Sequence, residues 1–323
     1  MWTFLSFLIA LSVTFLTVRG MRPGLVQAGI VGKDVNKPEK PTIPEMGGLA
    51  IVLGLSAGLL FTLGLKTFIG IFKSINAIPM LMALLTTFIV ATIGIIDDLI
   101  GVRQSLKAAI PLFASVPLMM IQAEQSHLGL PLLDVRVEFG IFYPLILVPL
   151  GVTGAANAVN MLAGFNGLEL GMASAAFLSL GVIAYLLGEA TSLLILVAGF
   201  GAVVATLYYN WYPASILIGD VGTFTIGAII ASSVIIGDFE FAGFIVIVPY
   251  FLDFLLKAIS GFPSEQWWGD FSDGKLYPPD GGPAGLAQLV MRLFGGITEH
   301  GLVLTLIGLE SVFGVIAILF YLY

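Results

Sequence analysis

Two adjacent aspartates, Asp97 and Asp98, follow a long apolar run from Met80 to Ile96. An unpaired carboxylate beside hydrocarbon is energetically costly, so a chain that places two of them there is expected to use them. The alternative is an ordinary solvated helix end, at which the aspartates are paired with Arg103 or Lys107. Their position makes them candidate catalytic or ion-binding groups.

Two further polar segments also lie where apolar runs stop. The first, residues 157–167, contains three asparagines and two glycines, and the second is Gly219-Asp220. Asn157 and Asn160 stand three positions apart at the end of a predicted helix, so they share one face. Each segment alone has a plainer explanation, because asparagine and glycine are turn residues and aspartate caps helices. Three such clusters in one hydrophobic chain predict a single site.

The connector between the first two apolar runs has neither a helical nor a strand period. It contains Lys37 and Lys40 among prolines and glycines that restrict the backbone. Lysines held in this way could contact phosphate groups. A solvated basic connector is the plainer alternative.

The elements that must position these residues are membrane helices. Of the 323 residues, 58% are hydrophobic and 10% are charged, with a mean hydropathy of +1.05, whereas soluble domains carry about 25% charged residues. The chain is predicted to be an all-α, polytopic membrane protein forming one domain over residues 1–323. The lack of cysteine excludes disulfides, thiolate metal sites and cysteine nucleophiles. The net charge of −7 gives no basic surface for nucleic acid.

A membrane-spanning helix needs about 20 apolar residues, and polar or Gly/Pro-rich breaks divide the chain into ten such runs. The predicted spans are residues 2–18, 46–65, 77–97, 105–122, 140–161, 167–187, 191–208, 221–237, 241–259 and 302–322. The connections predicted on the side of the site are residues 19–45, 98–105, 162–167, 209–220 and 260–301.

The basic residues distinguish the two sides of this arrangement. All but three of the 13 lie on the side of the candidate residues, and Lys66, Lys73 and Arg136 lie on the other. By the positive-inside rule the first side is cytoplasmic. The site is therefore expected to face the cytosol, with both chain ends outside.

Four ordered segments match the motifs of a known family. They are Gly32 to Lys37 with Pro44-Glu45, Asp97-Asp98 with Lys107, Asn157 to Glu169, and Asn210-Trp211-Tyr212-Pro213 with Gly219-Asp220. Through them the chain resembles the polyprenyl-phosphate N-acetylhexosamine-1-phosphate transferases, most closely the branch containing the eukaryotic and archaeal dolichyl-phosphate GlcNAc-1-phosphate transferases. Order and spacing together make this resemblance specific, whereas any one segment alone would be weak.

The resemblance implies ten transmembrane helices, a cytosolic active site, Mg²⁺ with Mn²⁺ as an alternative ion, a UDP-sugar donor and a lipid-phosphate acceptor. Asp97 and Asp98 match catalytic aspartates, and Lys107 matches a lysine that contacts the donor phosphates. Asn160 and Asp220 match the metal-binding positions. Because a phosphate monoester is largely dianionic at neutral pH, Asp97 and Asp98 are expected to orient metal, lysine or acceptor, with a general-base role as the alternative.

The same resemblance implies a binding pocket built from several loops. Positions that line the uridine pocket are matched by Val35, Glu45, Gly164 and Asn166, and Lys37 is a further candidate binding residue. Leu217 falls where eukaryotic members place an aromatic stacking partner.

The last predicted loop, residues 260–301, departs from the family pattern. It lacks the His/Arg motif that usually grips the sugar phosphate, and it looks like the archaeal form of this loop. Comparable groups in this loop are offered by Lys275, Arg292 and His300. Of these, Lys275 is the candidate substrate-binding residue.

The expected activity is transfer of GlcNAc-1-phosphate from UDP-GlcNAc to a polyprenyl or dolichyl phosphate with release of UMP, as the first step of lipid-linked oligosaccharide (N-glycan) assembly. The expected partners are these substrates, the lipid bilayer and, since the oligomeric state is open, a second copy of the chain in a homodimer. In an archaeon the membrane would be the cell membrane.

Three alternatives stay open. A family member could use another UDP-amino sugar. An intramembrane aspartyl protease also pairs two aspartates, but Leu217 stands where its Gly-x-Gly-Asp pattern requires glycine. An ion-coupled transporter would use carboxylates such as Asp253 and Glu310 near the middle of the bilayer, although Asp253 has Lys257 one turn away. Polar clusters at one membrane face would indicate a transferase, and clusters at the centre a carrier.

Overall fold

The computed structural model describes residues 2–122, 125, 127–131, 135–262 and 268–322, so residues 263–267 of the predicted loop 260–301 lie outside it. Helices dominate the described structure. In chain order they are α1 (Trp2–Gln27), α2 (Gly48–Ile69), α3 (Ala77–Ile100), α4 (Gln104–Ala109), α5 (Pro111–Ala114), α6 (Val116–Ile121), α7 (Val148–Met161), α8 (Leu168–Leu187), α9 (Ala190–Asn210), α10 (Gly219–Ile236), α11 (Glu240–Ile259), α12 (Leu286–Leu293) and α13 (Glu299–Phe320).

Within the described residues, ten helical segments are long and apolar enough to cross a membrane, which confirms the predicted fold class and number of spans. Two of them are composite. The fourth span consists of α4, α5 and α6, because Pro111 and Pro117 stand in the first turns of the latter two and proline lacks the N–H that would continue a helix. The fifth span begins with a π-helical turn, Tyr143–Leu147, that leads into α7.

The first span is longer than predicted. We expected residues 2–18, but α1 continues to Gln27. Packing stabilises the additional turns, because Leu25 is buried in a cluster with Tyr209. The Arg22 guanidinium also lies over the ring of Tyr209, 5.6 Å from its centroid.

The connections are correspondingly shorter. Residues 162–167 connect α7 and α8, and the other four connections are shorter than predicted because helices extend into them. The observed connections are residues 28–47, 101–103, 211–218 and 260–298. Since successive spans alternate in direction, all five lie at one face of the bundle, which we call the site face. Trp2 and Leu322 lie at the opposite face.

The described part of the chain also contains three antiparallel hairpins. They are β1 (Val31–Lys33) with β2 (Thr42–Pro44), β3 (His127–Leu130) with β4 (Val135–Glu138), and β5 (Asp270–Ser272) with β6 (Lys275–Tyr277). The first and third hairpins belong to connections of the site face. Two of the connections predicted as polar loops are therefore partly ordered as strands.

Helix α10 is the most buried of the described spans, and α2, α3, α7 and α9 pack around it. Glycines allow its first turn to touch its neighbours through backbone atoms. A Cβ on Gly48 would lie 2.2 Å from the backbone nitrogen of Gly222, and a Cβ on Gly94 would lie 2.5 Å from that of Val221. Real side chains do not tolerate such distances. These contacts place the start of α10 directly against α2 and α3.

Candidate active site

Asp220 lies at the centre of a group of polar residues at the start of α10. Its Oδ2 accepts a hydrogen bond from the Lys107 ammonium, and its Oδ1 accepts one from the Asn160 side-chain amide at 2.7 Å. The preceding residue, Gly219, has φ +68, a conformation that glycine adopts without strain. Helix termini from α3, α4, α7 and α10 thus meet at one carboxylate.

Asp98 caps α10 from the neighbouring helix. Its Oδ1 accepts from the Asp220 backbone N–H at 2.7 Å, and its Oδ2 accepts from the Val221 N–H at 3.1 Å. Two of the unpaired N–H groups at the start of a helix are thereby satisfied by an ionisable carboxyl group. The helix cap therefore comes from Asp98, whereas the sequence alone suggested Asp220.

Asp97 holds the lysine. Its Oδ2 lies 2.5 Å from the Lys107 Nζ, and its Oδ1 accepts from the Val102 N–H at 2.6 Å. The plain helix-end explanation correctly anticipated an ion pair with Lys107. It does not explain that the same buried ammonium also binds Asp220 on another helix.

The two asparagines that share one face of α7 have different partners. Asn160 donates to Asp220 and also to the Thr223 hydroxyl at 2.8 Å. Asn157 instead donates to the Ala108 carbonyl in α4, at 3.2 Å, and to the carbonyl one turn before it in α7. Thr223 was missed from sequence, although its place one turn after Asp220 is a usable signal. We call Asp97, Asp98, Lys107, Asn160, Asp220 and Thr223 the aspartate cluster.

Glu45 and Leu217, both predicted to line the binding pocket, lie together beside β1. The backbone N–H of Leu217 donates to the Pro44 carbonyl at 2.8 Å. A Cβ on Gly32 would lie 2.8 Å from Leu217 Cδ1 and 3.0 Å from Glu45 Oε2. Burial, and then the negative charge of Asp220, raises the pKa of Glu45. This electrostatic effect shows that Glu45 lies near the aspartate cluster.

A second group of buried polar residues joins three connections of the site face. The Lys37 ammonium lies 3.2 Å from Asp34 Oδ2 and also binds Glu299. Asn166 donates its side-chain N–H to Asp34 at 3.1 Å, and its backbone N–H to Glu299 at 2.8 Å. Its side-chain oxygen accepts from the Ala214 N–H at 2.9 Å. We call Asp34, Lys37, Asn166 and Glu299 the loop cluster.

The remaining predicted binding residues occupy different positions. Gly164, with φ +117, accepts from the Asn36 side chain at 2.7 Å through its carbonyl, and its N–H donates to Glu169. Val35 is half-buried between the buried residues Asp34 and Asn36. Lys275 is exposed on β6, and none of the contacts found among the described residues joins it to the aspartate cluster.

The structure therefore adds buried residues that sequence reasoning missed. Asp34, Asn36, Glu169 and Glu299 bind the predicted residues rather than forming a motif of their own. Glu169 and Glu299 stand in the first turns of α8 and α13, where acidic residues complement the helix dipole.

Comparison with known proteins identifies the family. Residues 80–238, which include the whole aspartate cluster, match the model of glycosyl transferase family 4. A relative from Saccharolobus solfataricus is 36% identical over 320 residues, covering 98% of this chain and 95% of the relative. The chain belongs to glycosyl transferase family 4. A second relative, from Sulfolobus acidocaldarius, is 32% identical over 327 residues with the same two coverages.

The names of these family relatives are consistent with one another. Both archaeal proteins are provisionally named UDP-N-acetylglucosamine–dolichyl-phosphate N-acetylglucosaminephosphotransferase. A Dictyostelium discoideum protein carries that name outright and is 27% identical over 271 residues, covering 71% of this chain and 65% of its own. Three members of the loop cluster, Asp34, Lys37 and Glu299, lie outside the region that the family model matches.

Proposed function

We propose that this membrane protein transfers GlcNAc-1-phosphate from UDP-GlcNAc to a polyprenyl or dolichyl phosphate and releases UMP, as the first step of lipid-linked oligosaccharide (N-glycan) assembly. The observation that carries the proposal is the aspartate cluster, in which one buried lysine joins Asp97 to Asp220 at the start of a helix. Family membership and the names of the relatives support it.

We propose Mg²⁺ as the metal, bound by Asp220 with Asn160. The cluster contains three carboxyl groups and one ammonium, which binds two of them, so the donor set is oxygen-rich and suits a hard cation. Across the described residues, no three histidine, cysteine, aspartate or glutamate side chains are grouped so that they could hold a metal ion. Mg²⁺ commonly binds one or two carboxylates and completes its shell with substrate phosphates and water. When bound, the ion would neutralise charge on the donor diphosphate.

The reaction requires positioning more than acid–base chemistry. An oxygen of the acceptor phosphate attacks the donor phosphorus that carries the GlcNAc oxygen, and the bond from that phosphorus to the bridging oxygen breaks, so UMP leaves with the bonding electrons. The acceptor is already largely dianionic, and no proton must be removed from it. Charge neutralisation and alignment then supply most of the catalysis.

The contacts in the cluster support an orienting role for both catalytic aspartates. Both carboxyl oxygens of Asp98 accept hydrogen bonds from the backbone of α10, which fixes the position of Asp220. Asp97 holds Lys107 at 2.5 Å, which directs its ammonium to the place where donor phosphates would lie. The positive end of the α10 dipole adds attraction for anions at this point.

The position of the clusters favours a transferase over a carrier. The aspartate and loop clusters both lie at helix ends and connections of the site face, whereas coupling-ion sites of transporters lie near the midplane. Asp253 is paired with Lys257 at 2.8 Å, as its spacing predicts. We further propose that the site face is cytosolic, because most basic residues lie on that side.

Binding and turnover measured on the same purified protein test the proposal. Incubation with radiolabelled UDP-GlcNAc, dolichyl phosphate and Mg²⁺ should give a lipid-soluble labelled product and UMP in equal amounts. Calorimetric titration should show that Mg²⁺ and UDP-GlcNAc raise each other's affinity by the same factor, as linkage requires.

Single-residue variants show which side chains couple the binding of metal and donor. Asp220→Ala should abolish the coupling between metal and donor, whereas Lys107→Ala should weaken donor binding at every Mg²⁺ concentration. Glu189→Gln, at the opposite end of the bundle, is the control. Donor affinity that is indifferent to Mg²⁺ in the parent protein would contradict the assignment of Asp220 and Asn160, and the absence of donor binding would favour the transporter.

A further inference from the structure

The connection 162–167 is held by hydrogen bonds from three of its backbone N–H groups to neighbouring elements. Gly164 N–H donates to Glu169, Asn166 N–H donates to Glu299 at 2.8 Å, and Gly167 N–H donates to the Asn210 side chain at 3.0 Å. These partners belong to three different helices, α8, α13 and α9. The conformation of this short connection is therefore set from outside it.

Glu299 differs from the other two partners because it is itself held by a charge. One of its carboxyl oxygens accepts from Asn166, and the other binds the Lys37 ammonium. Lys37 binds Asp34 as well, and Asp34 accepts from the Asn166 side chain at 3.1 Å. The four residues of the loop cluster thus form a closed ring of contacts.

This ring is almost shielded from solvent. The side chains of Lys37, Asp34 and Glu299 are 11%, 4% and 4% exposed. Burying such charges costs solvation energy that their attraction barely repays, so buried ion pairs are poor sources of stability and better sources of a defined geometry. The Lys37 ammonium is also occupied, with the Tyr212 ring 4.5 Å away. It cannot turn to a ligand without breaking the ring.

We propose that Glu299 is a positioning residue for donor binding. Glu299 fixes the backbone of the connection 162–167 through Asn166, and Lys37 acts by holding Glu299 in place rather than by contacting the substrate. The proposal rests on the proposed function, because this connection carries Gly164 and Asn166, two of the residues expected to line the uridine pocket. The loop cluster then acts on donor affinity alone, whereas the aspartate cluster acts both on binding of the donor phosphates and on the chemical step.

Steady-state kinetics with separate variation of donor and acceptor test this role. Glu299→Ala should raise the KM for UDP-GlcNAc at least about tenfold, since the charged acceptor of the Asn166 N–H is lost, while kcat and the KM for dolichyl phosphate should stay within about threefold of the parent. Glu299→Gln should recover much of the donor KM, because its amide oxygen still accepts from the Asn166 N–H. Glu240→Gln, a buried acid in the first turn of α11 at the opposite face, is the matched control.

A double-mutant comparison separates positioning from direct contact. If Lys37 acts only through Glu299, Lys37→Met combined with Glu299→Ala should raise the donor KM no more than Glu299→Ala does alone. Independent, multiplying effects would overturn the proposal, as would a loss confined to kcat or a Glu299→Gln variant as impaired as Glu299→Ala. If the parent protein binds donor and Glu299→Ala binds it equally well, the inference fails while the proposed function stands. If the parent binds no UDP-GlcNAc in calorimetry, the proposed function fails and the inference falls with it.

Discussion

Replacing Gly94 with alanine should disable the site without changing any of its polar residues. Gly94 lies on α3 one turn before Asp98, and a Cβ there would be 2.5 Å from the backbone of Val221. Ordinary van der Waals contact begins at 3.4 Å, so α3 and α10 would have to separate by about 0.9 Å, the difference between these distances.

The separation acts directly on the cap of α10. Adding about 0.9 Å to the hydrogen bonds of 2.7 and 3.1 Å that Asp98 accepts takes both beyond hydrogen-bonding distance. Each bond to a charged acceptor contributes about 1.5–3 kcal/mol, and alanine returns only about 1 kcal/mol of helix propensity. A misplacement of about 1 Å in a catalytic group costs about a hundredfold in rate. We therefore expect Gly94→Ala to lower both thermal stability and turnover.

The assay compares Gly94→Ala with Gly64→Ala in lipid nanodiscs. Gly64 lies in α2 with no atom within 4 Å of an added Cβ, so its alanine variant should keep full turnover and equal or greater stability. Turnover is measured per folded molecule, which separates loss of activity from loss of protein. Gly94→Ala with parental turnover would refute the claim that backbone contact between α3 and α10 sets the site.

Further expectations concern charge, pH and topology. Asp97→Asn and Asp220→Asn should each leave a folded, inserted protein with turnover down by at least about a hundredfold, on the scale of losing one strong electrostatic contact; near-normal rates in both would place the site elsewhere. Glu45 has a pKa raised above its ordinary value of 4.5, so the folded protein retains a proton that the unfolded chain releases. Binding of this proton stabilises the folded state fully below pH 4.5, and the stabilisation is lost as the pH rises through the pKa of Glu45 in the folded protein. Between pH 4.5 and neutrality, the melting temperature of Glu45→Gln should consequently fall less than that of the parent. Identical pH profiles of the melting temperature would contradict this. An epitope inserted at residue 39 should be cytosolic and epitopes at either chain end external, as protease protection of sealed vesicles would reveal.

Much of the aspartate cluster could be predicted because the ends of the apolar runs indicate where its residues lie. Asp97, Asp98, Asn160 and Asp220 each stand where a run of hydrocarbon side chains ends, and alternating spans bring such ends to one face. The different contacts that these residues make could not be predicted in this way. Asp98 caps α10 only because Gly94 lets two helices touch, and a crossing distance has no signature in a single sequence.

The loop cluster was missed for a different physical reason. Lys37 and Glu299 are 262 positions apart, and the connection that carries Lys37 has no periodicity from which an orientation could be derived. Lys37 was predicted to bind substrate because lysines held among prolines and glycines could contact phosphate groups. Its ammonium is held by two buried carboxylates, and neither partner could be anticipated from the sequence near Lys37. The extension of α1 to Gln27 was missed similarly, since the packing of Leu25 depends on α9.

The central place of α10 has a mechanical consequence. A bilayer that is too thick or too thin tilts and bends the helices it touches, and α1 and α13, with large lipid-accessible shares, would absorb most of that deformation. Asp220 is carried by a helix that is largely shielded from lipid by its neighbours. Deformation of the bilayer should therefore have little effect on the charged end of α10. The spacing among Asp220, Lys107 and Asn160 should remain constant while the outer helices adjust to the thickness of the surrounding membrane.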